Sequence, residues 1–236
     1  MTYRRMGQRR NNRVAAALLG VAAMLAACTT SLPGHPVAAG SHPPQPSGSA
    51  TRPPRAPVSA RDLLLREGEQ TPIGPATPAP VGDTFFTSVR PPECAAAVLF
   101  KDSPLRPAGS SDHAESRYTV TASATAIYAE SADVYTKKLD PHDIVWNGFA
   151  AVAKCNADAV GVAPAGESPP MQLREFSVPA DGVLAWTMTG EQETCNYGLV
   201  AVPQAALVLV ACDTKGSINM MDWAPKRREQ IMSRAA

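Results

Sequence analysis

Apolar residues occur in two different settings along this chain. Residues 14–27 form one unbroken apolar run, whereas the second half contains apolar segments separated by glycine, proline and aspartate. A run of fourteen such residues near the start is typical of a targeting segment, and apolar positions that alternate with polar ones are typical of strands. The pattern therefore predicts a leader and, after an interval, a folded domain.

Five segments of the second half are predicted as strands. They cover residues 118–128, 171–178, 182–189, 196–202 and 205–213. The last of them is apolar at nearly every position, which is expected of a central strand that is covered on both faces. Because the last four follow one another through short turns, they are expected to pair antiparallel.

Four helices are predicted between and around these strands. They lie at residues 59–65, at 92–98, from Asp140 to about Cys155, and at 222–235. Ser59 and Asp140 are side chains that cap a helix, and Pro141 suits a first helical position. Residues 63–65 are all leucine and are expected to dock on the domain. The whole pattern indicates an α+β fold, an antiparallel β-sheet packed with helices.

The leader ends in Leu25-Ala26-Ala27-Cys28, which matches the bacterial lipobox. The basic residues 1–13 precede an apolar run that is too short to cross a hydrocarbon core of about 30 Å. We expect residues 1–27 to be a lipoprotein signal peptide and Cys28 to carry the lipid. An ordinary secretory signal or an uncleaved anchor is the alternative, and the choice between the Sec and twin-arginine routes stays open.

Residues 28–60 are predicted to be a tether between the membrane and the domain. The segment 29–57 contains eight prolines and almost no large apolar side chain, so it is expected to be disordered. His35 and His42 lie here, and no metal site is expected from them. The domain is assigned to residues 61–236, with its compact part beginning near Asp83, after a second proline-rich stretch at 71–80.

Charge argues against nucleic acid as a partner. The chain has 22 basic and 21 acidic residues, and five of the arginines precede Cys28, so the part that follows is mildly acidic. A nucleic-acid-binding domain normally carries a basic patch, and no strong one remains.

Cys94, Cys155, Cys195 and Cys212 are expected to form two disulfides in an exported domain. Sequence alone permits three pairings. Cys195 and Cys212 stand at the open ends of the last predicted hairpin and are the tightest candidate pair, which leaves Cys94 with Cys155. Four free buried thiols are the alternative.

No motif in the chain indicates catalysis, a metal or a cofactor. The G-x-S-x-G, H-E-x-x-H, S-x-x-K and glycine-rich phosphate patterns are missing. His113 is expected in a polar loop. His142 is expected to be the second residue of a helix and exposed to solvent. Asp140 and Asp143 are explained by helix capping and the helix dipole. We therefore expect a protein that is not an enzyme and binds no cofactor or metal.

The aromatic residues offer the candidates for a binding surface. Trp146 and Trp186 are expected to pack in the core, although either could line an apolar pocket, as could Trp223. Trp186 and Phe149 are the predicted wall residues of a ligand cleft.

A resemblance to a known family rests on four features of the second half. They are the motif Pro-Pro-Glu-Cys-Ala-Ala-Ala-Val around Cys94, the stretch 146–155, Cys195 followed by the apolar run that ends at Cys212, and the two cysteine spacings. Over residues 61–236 the chain resembles the PknH-like extracellular domain, the sensor module of certain actinobacterial receptor kinases, which also occurs alone in lipoproteins.

The resemblance implies the same two bridges and an antiparallel sheet with helices around a cleft that binds an unidentified ligand. It implies no phosphoryl transfer, because the chain shows neither a kinase domain nor a membrane-spanning helix. We expect a lipoprotein on the extracytoplasmic face of the cell membrane that binds a small or lipid-like ligand. A module that docks on an envelope protein is the alternative.

Overall fold

The computed structural model describes residues 58–119, 126–214 and 216–235. Its helices are α1 Ala60–Leu63, α2 Ala95–Val98, α3 Pro141–Val152 and α4 Met220–Ala235, and a 3₁₀ turn, Pro92–Cys94, leads into α2. Its strands are β1 Gln70–Thr71, β2 Gly74–Pro75, β3 Thr77–Ala79, β4 Ser88–Arg90, β5 Asp112–Thr119, β6 Ile127–Val134, β7 Val160–Ala163, β8 Gly166–Glu167, β9 Met171–Ala180, β10 Val183–Gly190, β11 Thr194–Val202 and β12 Ala205–Asp213.

A seven-stranded antiparallel sheet forms the centre of the domain, in the order β3-β5-β6-β12-β11-β10-β9. Strand β12 is the fourth of the seven, and all of its residues but Cys212 are buried. This confirms the prediction of a central strand covered on both faces. Strands β1 and β2 pair with each other, and β4, β7 and β8 form a second small sheet.

Local sequence explains where the helices begin. Ser59 and Asp62 form a reciprocal capping box at the start of α1. The Asp140 carboxylate accepts hydrogen bonds from the backbone N–H groups of residues 142 and 143, and Pro141 occupies the first position of α3. Asn219 accepts from the N–H of Asp222 in the first turn of α4.

Helices cover both faces of the large sheet. On the face that we call the α3 face, helices α2 and α3 pack on a core that includes Trp186, Tyr197 and Val208. On the α4 face, helices α1 and α4 pack on a second core that includes Tyr128, Leu207 and Trp223. The structure therefore confirms the α+β class with an antiparallel sheet and helices against it.

Both predicted disulfides are present, and both lie in the core of the α3 face. Cys94–Cys155 joins the 3₁₀ turn to the residues after α3, and Cys195–Cys212 joins directly opposed residues of β11 and β12. This confirms the pairing that hairpin geometry and the family resemblance both favoured.

The N-terminal part of the chain also differs from expectation, because the compact domain begins well before Asp83. The proline-rich stretch 71–80 contains β2 and β3, and β3 pairs with β5 at the edge of the sheet. Proline is tolerated there because an edge strand needs hydrogen bonds on one side only. Leu63, Leu64 and Leu65 are buried in the core of the α4 face, as predicted.

The strand predicted at 118–128 is wrong. Residues 118–119 end β5 and residues 127–128 begin β6, while residues 120–125 lie outside the described part. The two real strands contain many polar residues, including the buried Glu130 and Asp133. Apolar alternation therefore marks only the end of β5 and the start of β6.

Several predictions concern residues that the structure does not describe. They are the leader 1–27, the lipidated Cys28, and the tether with His35 and His42 up to residue 57. Among the described residues, no helix is long and apolar enough to cross a membrane.

Candidate functional site

Trp186 and Phe149 belong to the same core but have different surroundings. Trp186 is 1% exposed, its indole N–H donates to the carbonyl oxygen of Ala97 at 2.9 Å, and its ring stacks on Tyr197. Phe149 is partly buried and lies 4.7 Å from Phe176 between ring centroids. Their predicted role as walls of a ligand cleft stays a prediction, and burial leaves Trp186 almost no surface for a ligand to contact.

Trp146 is not in the core, which corrects the expectation of core packing. Its side chain is 48% exposed on the outer side of α3. It lies 5.5 Å from Phe149 and 6.0 Å from His142 between ring centroids. With Phe176 these residues form an aromatic row that reaches from the surface to the core. Trp223 is buried on the α4 face, where its N–H donates to the Tyr128 hydroxyl oxygen.

One cavity, which we call the α1 cavity, has a volume of about 550 Å³. It lies where α1, the ends of β5 and β6, the β11–β12 turn and the end of α4 meet. Its lining residues are Val58, Ser59, Leu63, Ser111, Asp112, Val134, Tyr135, Thr136, Gln204, Ala205 and Ala235. A volume of this size is in the range of small-molecule sites.

Several polar groups around the α1 cavity already have partners within the protein. Asp112 accepts from the N–H groups of Ala60 and His113, at 2.7 and 2.9 Å. The Tyr135 hydroxyl donates to the carbonyl oxygen of Pro107, and the Ser111 hydroxyl to that of Val134. The cavity therefore offers mainly apolar surface to a ligand. A smaller apolar cavity of about 200 Å³ adjoins it and shares Gln204 and Ala235.

A second large cavity, which we call the polar cavity, has a volume of about 460 Å³. It lies on the α4 face, between β9, β10 and β11 and the residues around the start of α4. Its lining residues are Arg174, Glu175, Thr187, Thr189, Thr194, Asn196, Gly216, Ser217, Ile218, Asn219, Met220 and Met221. Nothing in the sequence analysis pointed to these residues.

A buried ion pair joins α4 to the sheet beside these cavities. Arg227 and Glu130 are both 0% exposed, and the Arg227 guanidinium donates to both Glu130 oxygens and to the carbonyl oxygen of Leu63. The Tyr118 and Tyr128 hydroxyls also donate to Glu130, at 3.4 and 2.6 Å. Every member is paired, so the cluster connects α1, β5, β6 and α4 and leaves no group free for chemistry.

Burial and the Glu130 charge raise the pKa of both tyrosines above the usual value. Burial by itself would lower the pKa of Arg227, but the charge of Glu130 outweighs it and raises the pKa. Both tyrosines therefore stay neutral, and Arg227 stays charged, near neutral pH. Sequence reasoning missed the cluster, because Glu130 and Arg227 are 97 positions apart.

His113 lies within β5 and not in the polar loop where the sequence placed it. Its Nδ1 is 3.2 Å from Asp133, a buried carboxylate that accepts two hydrogen bonds from Arg106 at 2.7 Å each. The hydrogen bond to Asp133 raises the pKa of Arg106, although burial opposes it. The bonds from Arg106 satisfy the buried Asp133 carboxylate, so these residues have a structural role.

One group of three side chains in the described residues has the spacing of metal ligands, namely Glu193, Cys195 and Cys212. Both of its sulfur atoms are in the Cys195–Cys212 disulfide, so they are not thiolates that could bind a metal. Burial raises the pKa of Glu193 above its usual 4.5.

No protein-family model matches the chain. The crystal structure of the extracellular domain of PknH from Mycobacterium tuberculosis is similar in fold, with a TM-score of 0.56 at 13% identity, over 76% of this chain and 97% of that one. This agrees with the resemblance that the cysteine motifs indicated.

Curated relatives cover nearly the whole sequence. The chain is 52% identical over 219 residues to the protein named "Putative lipoprotein LprH" from Mycobacterium bovis and Mycobacterium tuberculosis. The matched residues are 93% of this chain and 93% of the relative. At that identity and coverage, the chain belongs to the LprH lipoprotein family and has a fold like that of the PknH extracellular domain.

Proposed function

We propose that this protein is a lipid-anchored envelope lipoprotein whose domain binds a small or lipid-like ligand without catalysis. The leader 1–27 is removed, Cys28 is acylated, and residues 28–60 hold the domain 61–236 on the extracytoplasmic face of the membrane. The lipobox and the membership in a lipoprotein family support the anchor. Two retained acyl chains are enough to hold a protein stably on a bilayer.

The α1 cavity is the observation that carries the binding role. It combines a volume of about 550 Å³ with a lining in which Asp112 and Tyr135 are already paired inside the protein. A ligand held there is bound mainly by burial of apolar surface, at about 25 cal/mol per Å². This favours a hydrocarbon-bearing ligand over a highly charged one.

Native mass spectrometry of the protein purified from its own envelope tests this role. We expect a reproducible mass increment from a bound molecule. The Thr136→Trp variant places a large ring at the exposed rim of the cavity and should remove the increment. Lys137→Trp is the matched control, since residue 137 is exposed and lines none of the described cavities. Equal loading of both variants, or no bound molecule in repeated preparations, would contradict the proposal.

The anchor has its own test, which is independent of the ligand. Cys28→Ser should abolish metabolic labelling with fatty acids and move the protein from the detergent phase to the aqueous phase. Labelling that persists in this variant would refute acylation at Cys28. Because the cavity lies in the domain, ligand loading of the released protein should stay unchanged.

The aromatic row on α3 favours a second candidate function, docking on an envelope protein. Trp146 is a large exposed side chain, and tryptophan is enriched in the energetic centres of protein interfaces. Trp146→Ala should weaken co-purification of a defined partner from detergent-solubilised envelope and leave ligand loading intact. Met232→Ala, at another exposed apolar residue, is the control for partner co-purification only, because Met232 lines the cavity beside the α1 cavity.

A further inference from the structure

The polar cavity occupies the place where the α4 face of the sheet changes from apolar to polar. Across β9, β10 and β11, the residues Glu175, Thr187 and Asn196 lie in register, and Thr189 pairs with Thr194 in the next row on that face. Helix α4 covers the apolar rows but begins only at Met220. The polar rows therefore form a floor that α4 does not cover.

The opposite wall of the cavity is held in place by the chain itself. The buried Asp213 carboxylate accepts hydrogen bonds from the N–H groups of Gly216 and Ser217, and from the Ser217 hydroxyl at 2.7 Å. Asn219 then caps α4. These contacts shape the wall in the free protein, as is usual for small-molecule sites.

Asn196 is the feature that points to a ligand. The residue is 6% exposed, its Oδ1 accepts from the Thr187 hydroxyl at 2.9 Å, and its Nδ2 has no partner. A buried polar group without a partner destabilises the folded protein. Rotating the amide by 180° gives Thr187 the NH₂ group and leaves the oxygen unpaired instead. Either way, one end of the amide lacks a partner beside a cavity of about 460 Å³.

The charges at the cavity restrict what can bind. Glu175 disfavours an anion and the neighbouring Arg174 disfavours a cation, while three threonine hydroxyls and the amide offer both donors and acceptors. Ile218, Met220 and Met221 add apolar surface on the side of α4. A hydroxyl group satisfies Asn196 in either orientation of the amide, because it both donates and accepts.

We propose that the polar cavity is a binding site for a small neutral polyhydroxylated ligand, of the size of a monosaccharide or disaccharide. On binding, the Asn196 amide, whose Nδ2 has almost no accessible surface in this structure, turns toward the cavity and bonds a ligand hydroxyl. The threonines of β10 and β11 bond other hydroxyls, and the methionines at the start of α4 cover the ligand's C–H surface. The site is separate from the α1 cavity, and no residue lines both. The two proposals therefore stand or fall independently.

Titration of the full-length ¹⁵N-labelled protein in detergent tests the site directly, because the Asn196 side-chain NH₂ gives its own pair of signals. The probes are methyl α-glucoside, methyl α-mannoside, N-acetylglucosamine and maltose. We expect saturable shifts of the Asn196 NH₂ signals with at least one probe below about 50 mM, an affinity of roughly −2 kcal/mol or better. If none of the four shifts these signals, ordered water satisfies the amide and the proposal is overturned.

Anion probes distinguish the nearest competing class. Sodium phosphate and sodium acetate should leave the Asn196 signals unmoved at the same concentrations. If either of them shifts the signals and the saccharides do not, the cavity binds anions and the proposal is wrong.

Variants then locate the contacts. Asn196→Leu keeps a similar volume, removes the amide, and should weaken binding of the effective probe by about tenfold or more. Thr189→Val, at a less buried position, should weaken binding of the probe to a smaller degree. This variant keeps the test possible if Asn196→Leu does not fold. Thr77→Val, on the edge strand β3 and away from the cavity, is the control. Unchanged affinity in Thr189→Val and in a folded Asn196→Leu would overturn the proposal.

Discussion

The two faces of the sheet are stabilised in different ways. The α3 face contains both disulfides, Cys94–Cys155 and Cys195–Cys212. The α4 face contains no cysteine among its described core residues and is joined by the buried Arg227–Glu130 pair with its two tyrosines. Both of the larger cavities lie on the α4 side. The covalently linked face is thus opposite the face that carries the two larger cavities.

The difference also concerns conformational specificity, that is, how strictly the positions of the helices are fixed. A buried ion pair contributes little net stability compared with apolar residues of similar size, but it is costly to break and has strict geometry. Here it connects α1, the first described element, to the sheet and to α4. The cluster therefore holds α1 beside its cavity together with the bonds from α1 to Asp112 and Arg234.

The largest expected effect comes from breaking that cluster. Glu130→Ala leaves the buried Arg227 without its counterion and should lower the free energy of unfolding by about 3–5 kcal/mol, measured by urea denaturation. Glu167→Ala removes the exposed Arg90–Glu167 pair and should leave the urea midpoint close to that of the parent protein. Equal midpoints for the two variants would show that the α4 face does not depend on the ion pair.

Removing the disulfides tests the other face. The Cys94→Ala/Cys155→Ala variant opens a loop of 61 residues and should cost about 4 kcal/mol by the chain-entropy estimate. Opening the Cys195–Cys212 loop of 17 residues should cost about 3 kcal/mol. In the first variant, amide hydrogen exchange should accelerate more in α3 than in α4. Equal acceleration in both helices would contradict the division into two faces.

A pair of glycines compares how closely a helix packs on each face. An added Cβ at Gly198 would lie 3.3 Å from the Ala224 Cβ on α4, which cannot rotate away, so Gly198→Ala should cost about 1–3 kcal/mol. At Gly148 in α3 the nearest atom is the movable Cδ2 of Leu199, at 2.9 Å. Alanine there gains up to about 1 kcal/mol of helix propensity, so Gly148→Ala should be close to neutral. Thermal unfolding of both variants measures the difference, and the reverse order would refute it.

The smallest effect concerns pH. Burial raises the pKa of Glu193 on the α3 face, so folding favours its protonated form. This contribution to stability is complete below the usual pKa of 4.5 and is lost as the pH rises through the higher pKa of the folded state. Glu193→Gln should therefore stabilise the protein at pH 7 relative to the parent and have less effect at pH 4. Urea midpoints at the two pH values check this, and an equal gain at both would contradict it.

The sequence predicted well wherever the signal is local. Helix caps at Ser59 and Asp140 act within three residues, and the last two hairpins follow from alternation and short turns. The prediction failed for β5 and β6, because their polar residues pair with partners far along the chain. Asp133 is buried in β6, and only its bond to Arg106 explains why a carboxylate is tolerated there.

The candidate sites depended on tertiary structure to a greater degree. Trp186 and Phe149, the predicted walls of a ligand cleft, are both large apolar residues. The fold places Trp186 in the core and leaves Trp146 exposed. The polar cavity requires Asn196, Glu175 and the start of α4 to meet, and no short-range pattern connects them.

Local patterns in the sequence establish the class of the fold, the four predicted helices and the last four strands, and they favour the observed cysteine pairing among three. These features rest on interactions between near neighbours or on the few ways in which four cysteines can pair. The tertiary structure was needed for three further features, namely the buried Glu130–Arg227 pair, the exposure of Trp146 and the two cavities. These features depend on contacts between residues that are far apart in the sequence. Whether a side chain is buried is therefore known only from the packed molecule.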